Sequence, residues 1–275
     1  MKTPPTEPAA AALFDALGPR GRVRLRVLTV ASVLLIVALA VGMVLQLDSA
    51  GQLSAQLWSP LAQWSNVSYL LTGLRTTLAI GLSAAVLSMI AGLLAGLGRL
   101  SARRWISGPC AGGIELFRSI PLILMVYFFL IGGPTLGLHL SPFWTLTIPI
   151  VLHAGAVFAE IVRAGVNNLD RGQSAAGLAV GLTRAQVMRL IVLPQVLRTL
   201  RPALITQLVR TLKESSLGYV VSYPELLRDG QVLGEFTGNF LQTYAVIAGI
   251  YIVINFGLSQ LAERIDRFRL PRRTH

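Results

Sequence analysis

Residues 27–47 read VLTVASVLLIVALAVGMVLQL, 21 positions without a charge. A helix needs about 20 mostly apolar residues to cross the roughly 30 Å hydrocarbon core of a bilayer. This stretch alone therefore directs the chain to a membrane. The apolar core of a cleavable secretion signal is shorter, about 7–15 residues, so the expectation is an uncleaved first span. The composition of all 275 residues agrees: 53% are apolar and 13% charged, where soluble domains carry about 25% charge. Mean hydropathy is +0.65. Too little charge remains to cover a soluble globule, and the pattern excludes a disordered chain, a coiled coil and a collagen-like repeat. The single cysteine, Cys110, excludes an intrachain disulfide framework and a Cys-rich metal site.

Five further apolar stretches follow, over 70–97, 114–131, 143–162, about 202–221 and 244–261. The third carries Glu115 and Arg118 at its start, and the fifth is interrupted by charge. The distribution of Lys and Arg gives a second, independent signal. Nineteen of the 24 lie before the first span, between spans two and three, between spans four and five, and after span six. Residues 48–69 and 132–142 hold none, and 222–243 hold only Arg228. Basic links on alternate sides are what six spans with both termini in the cytoplasm require. The expected fold is thus an all-α integral membrane protein. It has a cytoplasmic segment over 1–26, a first helix over 27–47, a transmembrane domain over 70–265 and a basic cytoplasmic tail over 266–275. No solenoid repeat, inverted repeat, P-loop, HExxH or strand–GxSxG–helix pattern is visible. His139, His153 and His275 are too scattered for a metal site. The expectation is no catalytic residue, no metal and no cofactor in this chain; the basic excess reads as topology, not as nucleic-acid binding.

The longest cytoplasmic link, about 167–195, reads NNLDRGQSAAGLAVGLTRAQVMRLIVLPQ. Its first half suits a short helix, Gly181-Leu182 is a turn signal, and Thr183 with Gln186 forms a capping-box pattern for a second helix. Val187, Leu190 and Ile191 then make an apolar stripe, and Pro194 is expected to stop or kink the helix. Such a helix pair could lie in the membrane interface or dock into a groove on a partner; periodicity does not choose.

The spacing of Ala175-Ala176, Gly181 and Ile191-Val192-Leu193-Pro194 resembles the EAA loop of ABC importer permeases. ELFRSIPL at 115–122, AEIVRAGV at 159–166, LPQVLR at 193–198, LKESSLGYV at 212–220 and PELLR at 224–228 look like the polar-amino-acid branch of that family. With the extra first span, the chain is most similar to the longer permease subunit of glutamate uptake systems. One departure is that Ser174 stands where the family usually has Glu before the two alanines.

The resemblance implies a transport subunit of the bacterial inner membrane, not an enzyme. It implies a sister or identical permease, a dimer of ATP-hydrolysing subunits carrying ATP-Mg, and an extracytoplasmic solute-binding protein. Ala175, Ala176, Gly181, Leu182, Leu193 and Pro194 would then form the coupling to the ATPase. The loop would pass ATPase closure on as alternating access.

Charges within spans are costly, so they are candidates for function. Thr206, Gln207, Arg210, Lys213 and Glu214 follow steps of three and four, one polar stripe along the fifth span. Arg210, Lys213 or Arg118 could pair the carboxylates of an amino acid, and Glu214 its ammonium. Alternatively, these charges neutralise one another or snorkel to the interface. Glu160 and Arg163 read as a surface i, i+3 pair, His153 as a packing residue. Ser88, Gly92 and Gly96 at four-residue spacing read as a helix-packing face. Rival readings of function are an autonomous secondary carrier and a structural partner whose sister permease holds the substrate.

Overall fold

The computed structural model describes residues 18–267; the N-terminal segment before Gly18 and the basic tail after Arg267 lie outside them. No strand occurs among the described residues. Contacts divide the chain into two compact units, Met1–Trp58 and Ser59–His275. In the first unit, helix α1, Pro19–Ser49, begins with a proline at its first turn, where the missing N–H costs nothing. Valines and leucines from Val27 to Leu45 are exposed on every face, as befits a helix surrounded by lipid.

The second unit is built on two long helices, α2 (Trp64–Arg99) and α5 (Pro142–Asn168). They cross closely because small residues meet. A Cβ on Gly92 would collide with Phe158 and with the Gly155 carbonyl, and one on Gly96 would lie 2.9 Å from the Ala159 carbonyl. Ser88, Ala154, Gly155 and Ala159 are buried in the same seam. Without a hydrophobic force between helices in lipid, this backbone approach supplies the packing. Ile80 and Ala84 of α2 join Leu146 and Ile150 of α5 in the main apolar cluster, with Val126 and Val221.

Between α2 and α5 the expected third span over 114–131 is broken. Helix α3, Arg104–Ser119, and helix α4, Leu122–Thr135, meet at a bend of 100°. The cause is local: Pro121 pushes the preceding residue out of the helical region, and Ile120 is extended at φ −87°, ψ 125°. Within α4 a π turn runs over Phe128–Gly132.

After α5 come α6, Arg171–Ala179, and α7 over 184–199. Asp170 caps α6 by accepting from the Gly172 N–H at 2.8 Å. Thr183 and Gln186 form the expected capping box at the start of α7. Pro194 neither stops nor visibly ends α7; a π turn over Met188–Val192 absorbs it and the helix continues to Thr199. The wide turn removes the clash with the proline ring and the need for its absent N–H.

Helix α8, Arg201–Glu214, passes into a 3₁₀ turn over Ser215–Val221. Helix α9, Leu226–Thr237, ends on Gly238 at φ +72°, a left-handed position suited to glycine. Helix α10, Phe240–Arg267, completes the described chain. Among the described residues, four helices are long and apolar enough to cross a membrane, or five if the bent α3–α4 pair counts as one crossing. The expected fifth span over 202–221 is a 14-residue helix plus a 3₁₀ turn and does not qualify alone.

Candidate substrate pathway and coupling loop

Helix α8 is packed against α2, α5 and α10. Its polar residues do not form the single stripe expected from their spacing. Gln207, Thr211 and Ser215, at steps of four, are buried and form an inward polar rail. Thr206, Arg210 and Lys213 lie on an exposed face. Glu214 sits between the two. Its side chain is 14% exposed, that of Arg210 is 66% exposed, and Arg210 Nε lies 3.8 Å from Glu214 Oε1. The other carboxylate oxygen, Oε2, is buried with no hydrogen-bond partner. A buried acceptor left this way costs free energy that neighbouring donors normally offset. Sequence reasoning missed Thr211 and Ser215; their four-residue spacing from Gln207 was the available signal.

Arg118 is not brought into this set. It lies 4.0 Å from Glu115 and 3.8 Å from Glu160. Glu160 is no simple surface pair with Arg163. It also accepts from Arg99 at 3.0 Å, while Arg163 binds both its oxygens. One carboxylate thus joins the ends of α2 and α3 to α5. His153 Nδ1 lies 3.0 Å from the Phe117 carbonyl, tying α5 to α3 a second time.

A second carboxylate, Glu225, is fully buried and was missed as a site residue although PELLR was noticed. It caps α9, accepting from the Leu227 N–H at 2.9 Å and the Arg228 N–H at 2.8 Å. Tyr251 Oη donates to it at 3.0 Å and Thr77 Oγ1 at 3.4 Å. Thr77 Oγ1 in turn accepts from the Leu226 N–H at 3.0 Å. This network locks α2, α9 and α10 together.

The 167–195 link has a buried side and an open side. Val187, Val192 and Val196 are buried, with Val166, Leu169, Leu182 and Leu200 packed against them. Of the expected apolar stripe, Val187 therefore serves the chain's own core while Leu190 is 60% exposed, and Leu182 faces inward. Leu193 is half-buried and Pro194 exposed. On the open side stand Ala175, Ala176, Gly181, Leu178 and Val180, the last at 77% exposure. Gly181 has φ +86° and open space around its Cβ direction, so conformation, not close approach, requires glycine there. Close approach belongs to the overlooked Gly177, where a Cβ would meet Ile191 at 2.7 Å and Val187 at 2.8 Å.

Residues 88–270 match the family of binding-protein-dependent transport system inner membrane components. The chain belongs to this family of importer permeases. It is 37% identical over 227 residues to the glutamate transport system permease protein GluD of Corynebacterium glutamicum, covering 80% of this chain and 82% of that one. It is 33% identical to the glutamine transport system permease protein GlnP of Escherichia coli K12, covering 76% and 96%. Among solved structures, an amino acid ABC transporter crystallised with histidines shares 28% identity and a TM-score of 0.71, covering 76% of this chain and 98% of that one. The permease is accordingly a transport subunit and not an enzyme. Family membership implies an ATPase and a substrate-binding protein as partners, which removes the autonomous carrier from consideration.

Proposed function

We propose that this permease carries glutamate or a related polar amino acid through a pathway bordered by α8. Arg210, Lys213 and Glu214 face the substrate, Gln207 reaches it from the buried side of α8 as the permease opens, and Arg118 serves as a basic residue of the entrance on the Glu160 side. The observation that carries the reading is the state of Glu214: enclosed, loosely paired at 3.8 Å, and holding one unpartnered oxygen. Such a carboxylate is poised to take an ammonium group, while the open Arg210 guanidinium can grip a carboxylate in bidentate fashion. The glutamate and glutamine names of the relatives support the same substrate class.

Six crossings with both termini in the cytoplasm complete the proposal. The alternate basic links support that topology. Helix α8 with its 3₁₀ turn offers about 35 Å of helical rise for the fifth crossing. The exposed Ala175, Ala176 and Gly181 dock on a dimer of ATPases. Leu182 and Leu193 hold that surface against the rest of the permease, and the exposed Pro194 extends it. A sister or identical permease completes the pathway, and ATP-Mg resides on the ATPases. With small residues at the docking point and Ser174 half-buried, contact there is steric and needs no carboxylate.

The test is uptake of labelled glutamate, glutamine and arginine into vesicles holding the permease, its ATPase, its binding protein and any sister permease. The expected result is ATP-dependent accumulation of glutamate, or of one polar amino acid in its place. Accumulation of none, by an assembled complex that hydrolyses ATP, would overturn the substrate assignment.

A further inference from the structure

A groove of about 790 Å³ lies between the end of α2 and the first half of α7. Leu97, Leu100, Met188 and Leu193 are among its apolar lining, and Arg184 and Arg189 both line it as well. Its volume falls in the range of sites that enclose small molecules. Three observations say what fits there.

First, the apolar run of α2 ends at Arg99 and is followed by Arg103 and Arg104, so Leu97 and Leu100 sit where an apolar helix gives way to basic residues, the pattern of a cytoplasmic membrane face. Trp105, 71% exposed with the Arg103 guanidinium 6.0 Å from its ring centre, follows immediately, as aromatic residues do at such boundaries. Second, the two groove arginines make no ion pair and no side-chain hydrogen bond among the described residues, whereas the adjacent Arg99 is taken by Glu160. Third, α6, which carries the exposed alanines of the proposed ATPase contact, contributes nothing to the lining.

The geometry points to a binding site for one anionic phospholipid, its phosphate between Arg184 and Arg189 and an acyl chain along Leu97, Leu100 and Met188. Unpaired guanidiniums beside apolar lining at a membrane boundary suit a ligand that is charged at one end and aliphatic at the other. A free phosphate would leave the apolar part of the groove unused. Lipid bound here would brace the coupling loop against α2.

The experiment uses the permease assembled with its ATPase in nanodiscs of equal phosphatidylglycerol and phosphatidylcholine. Retained lipid is counted by native mass spectrometry after detergent release. Retention of phosphatidylglycerol over phosphatidylcholine by roughly tenfold or more is expected, two arginines each favouring the anion. Arg184→Gln with Arg189→Gln should abolish the preference. Ala185→Trp, which fills the groove and keeps both charges, should remove the lipid itself; both variants are checked for an unchanged elution profile. An unchanged preference in the double variant would overturn the proposal. So would displacement by inorganic phosphate, which would mean a simple anion site. Loss of the lipid whenever the ATPase binds would assign the groove to that partner instead.

Discussion

Glu225 and Glu214 are both enclosed glutamates in an apolar chain, and their surroundings differ sharply. Glu225 has four donors, from two backbone N–H groups, Tyr251 and Thr77. Glu214 has one loose ion pair and an oxygen with no partner. A satisfied polar network rigidifies the fold, whereas an unsatisfied carboxylate leaves an acceptor open to an ordered water or a ligand. Under the proposed function, the contrast separates a structural carboxylate from a substrate-facing one.

The largest effect expected from breaking this contrast is on the satisfied side. Glu225→Ala leaves two N–H groups at the start of α9 and the Tyr251 hydroxyl without their acceptor, while Thr77 keeps the Gly73 carbonyl at 3.0 Å, and should cost about 3 kcal/mol. Thermal melting of the purified permease should fall by roughly 10 °C. Glu214→Gln, by contrast, should shift stability by less than about 1 kcal/mol while cutting uptake. A stable Glu225→Ala protein, or an unfolded Glu214→Gln one, would reverse the roles assigned to the two residues.

Glu160 sharpens the comparison from a third position. Its three arginine partners make it structural, so Glu160→Gln should destabilise by about 1–2 kcal/mol and leave substrate preference unchanged. A changed preference among glutamate, glutamine and arginine in the uptake assay would move Arg118 and Glu160 into the pathway.

A small effect on stability is expected at Gly181. Its left-handed backbone should cost about 1 kcal/mol with an alanine, and Gly181→Asn less, since asparagine tolerates that conformation. Because its Cβ direction is open, Gly181→Trp should insert and fold. It should nevertheless separate ATP hydrolysis from uptake, measured together in vesicles. Normal uptake would show that this turn does not touch the ATPase.

Much of the fold was legible in the sequence because lipid imposes simple rules. Uncharged runs marked α1, α2, α5 and α10, and the Thr183–Gln186 spacing marked the start of α7. The Gly92 and Gly96 spacing marked the α2–α5 seam. What failed had local causes. Pro121 acts on the residue before it, so the expected third span is broken by a 100° bend. Pro194 was expected to stop or kink a helix that a π turn carries through to Thr199. The polar set on α8 was legible as residues but not as faces. A period of three and four cannot say that α2, α5 and α10 bury Gln207 and leave Lys213 exposed. Nor could sequence distance bring Thr77, Glu225 and Tyr251 together, or give Glu160 its arginines from α2 and α3.

The most direct measurement of the central claim is uptake by Arg210→Ala in vesicles containing the ATPase, the binding protein and any sister permease. Arg210 is exposed on α8 and its pair with Glu214 is loose at 3.8 Å, so the variant should assemble and lose no more than about 1 kcal/mol of stability, checked by its melting. The expected result is uptake reduced at least tenfold, with Arg210→Lys intermediate because the charge remains while the planar fork is lost. Parental uptake by a fully assembled Arg210→Ala permease would contradict the claim and place the substrate on the sister subunit.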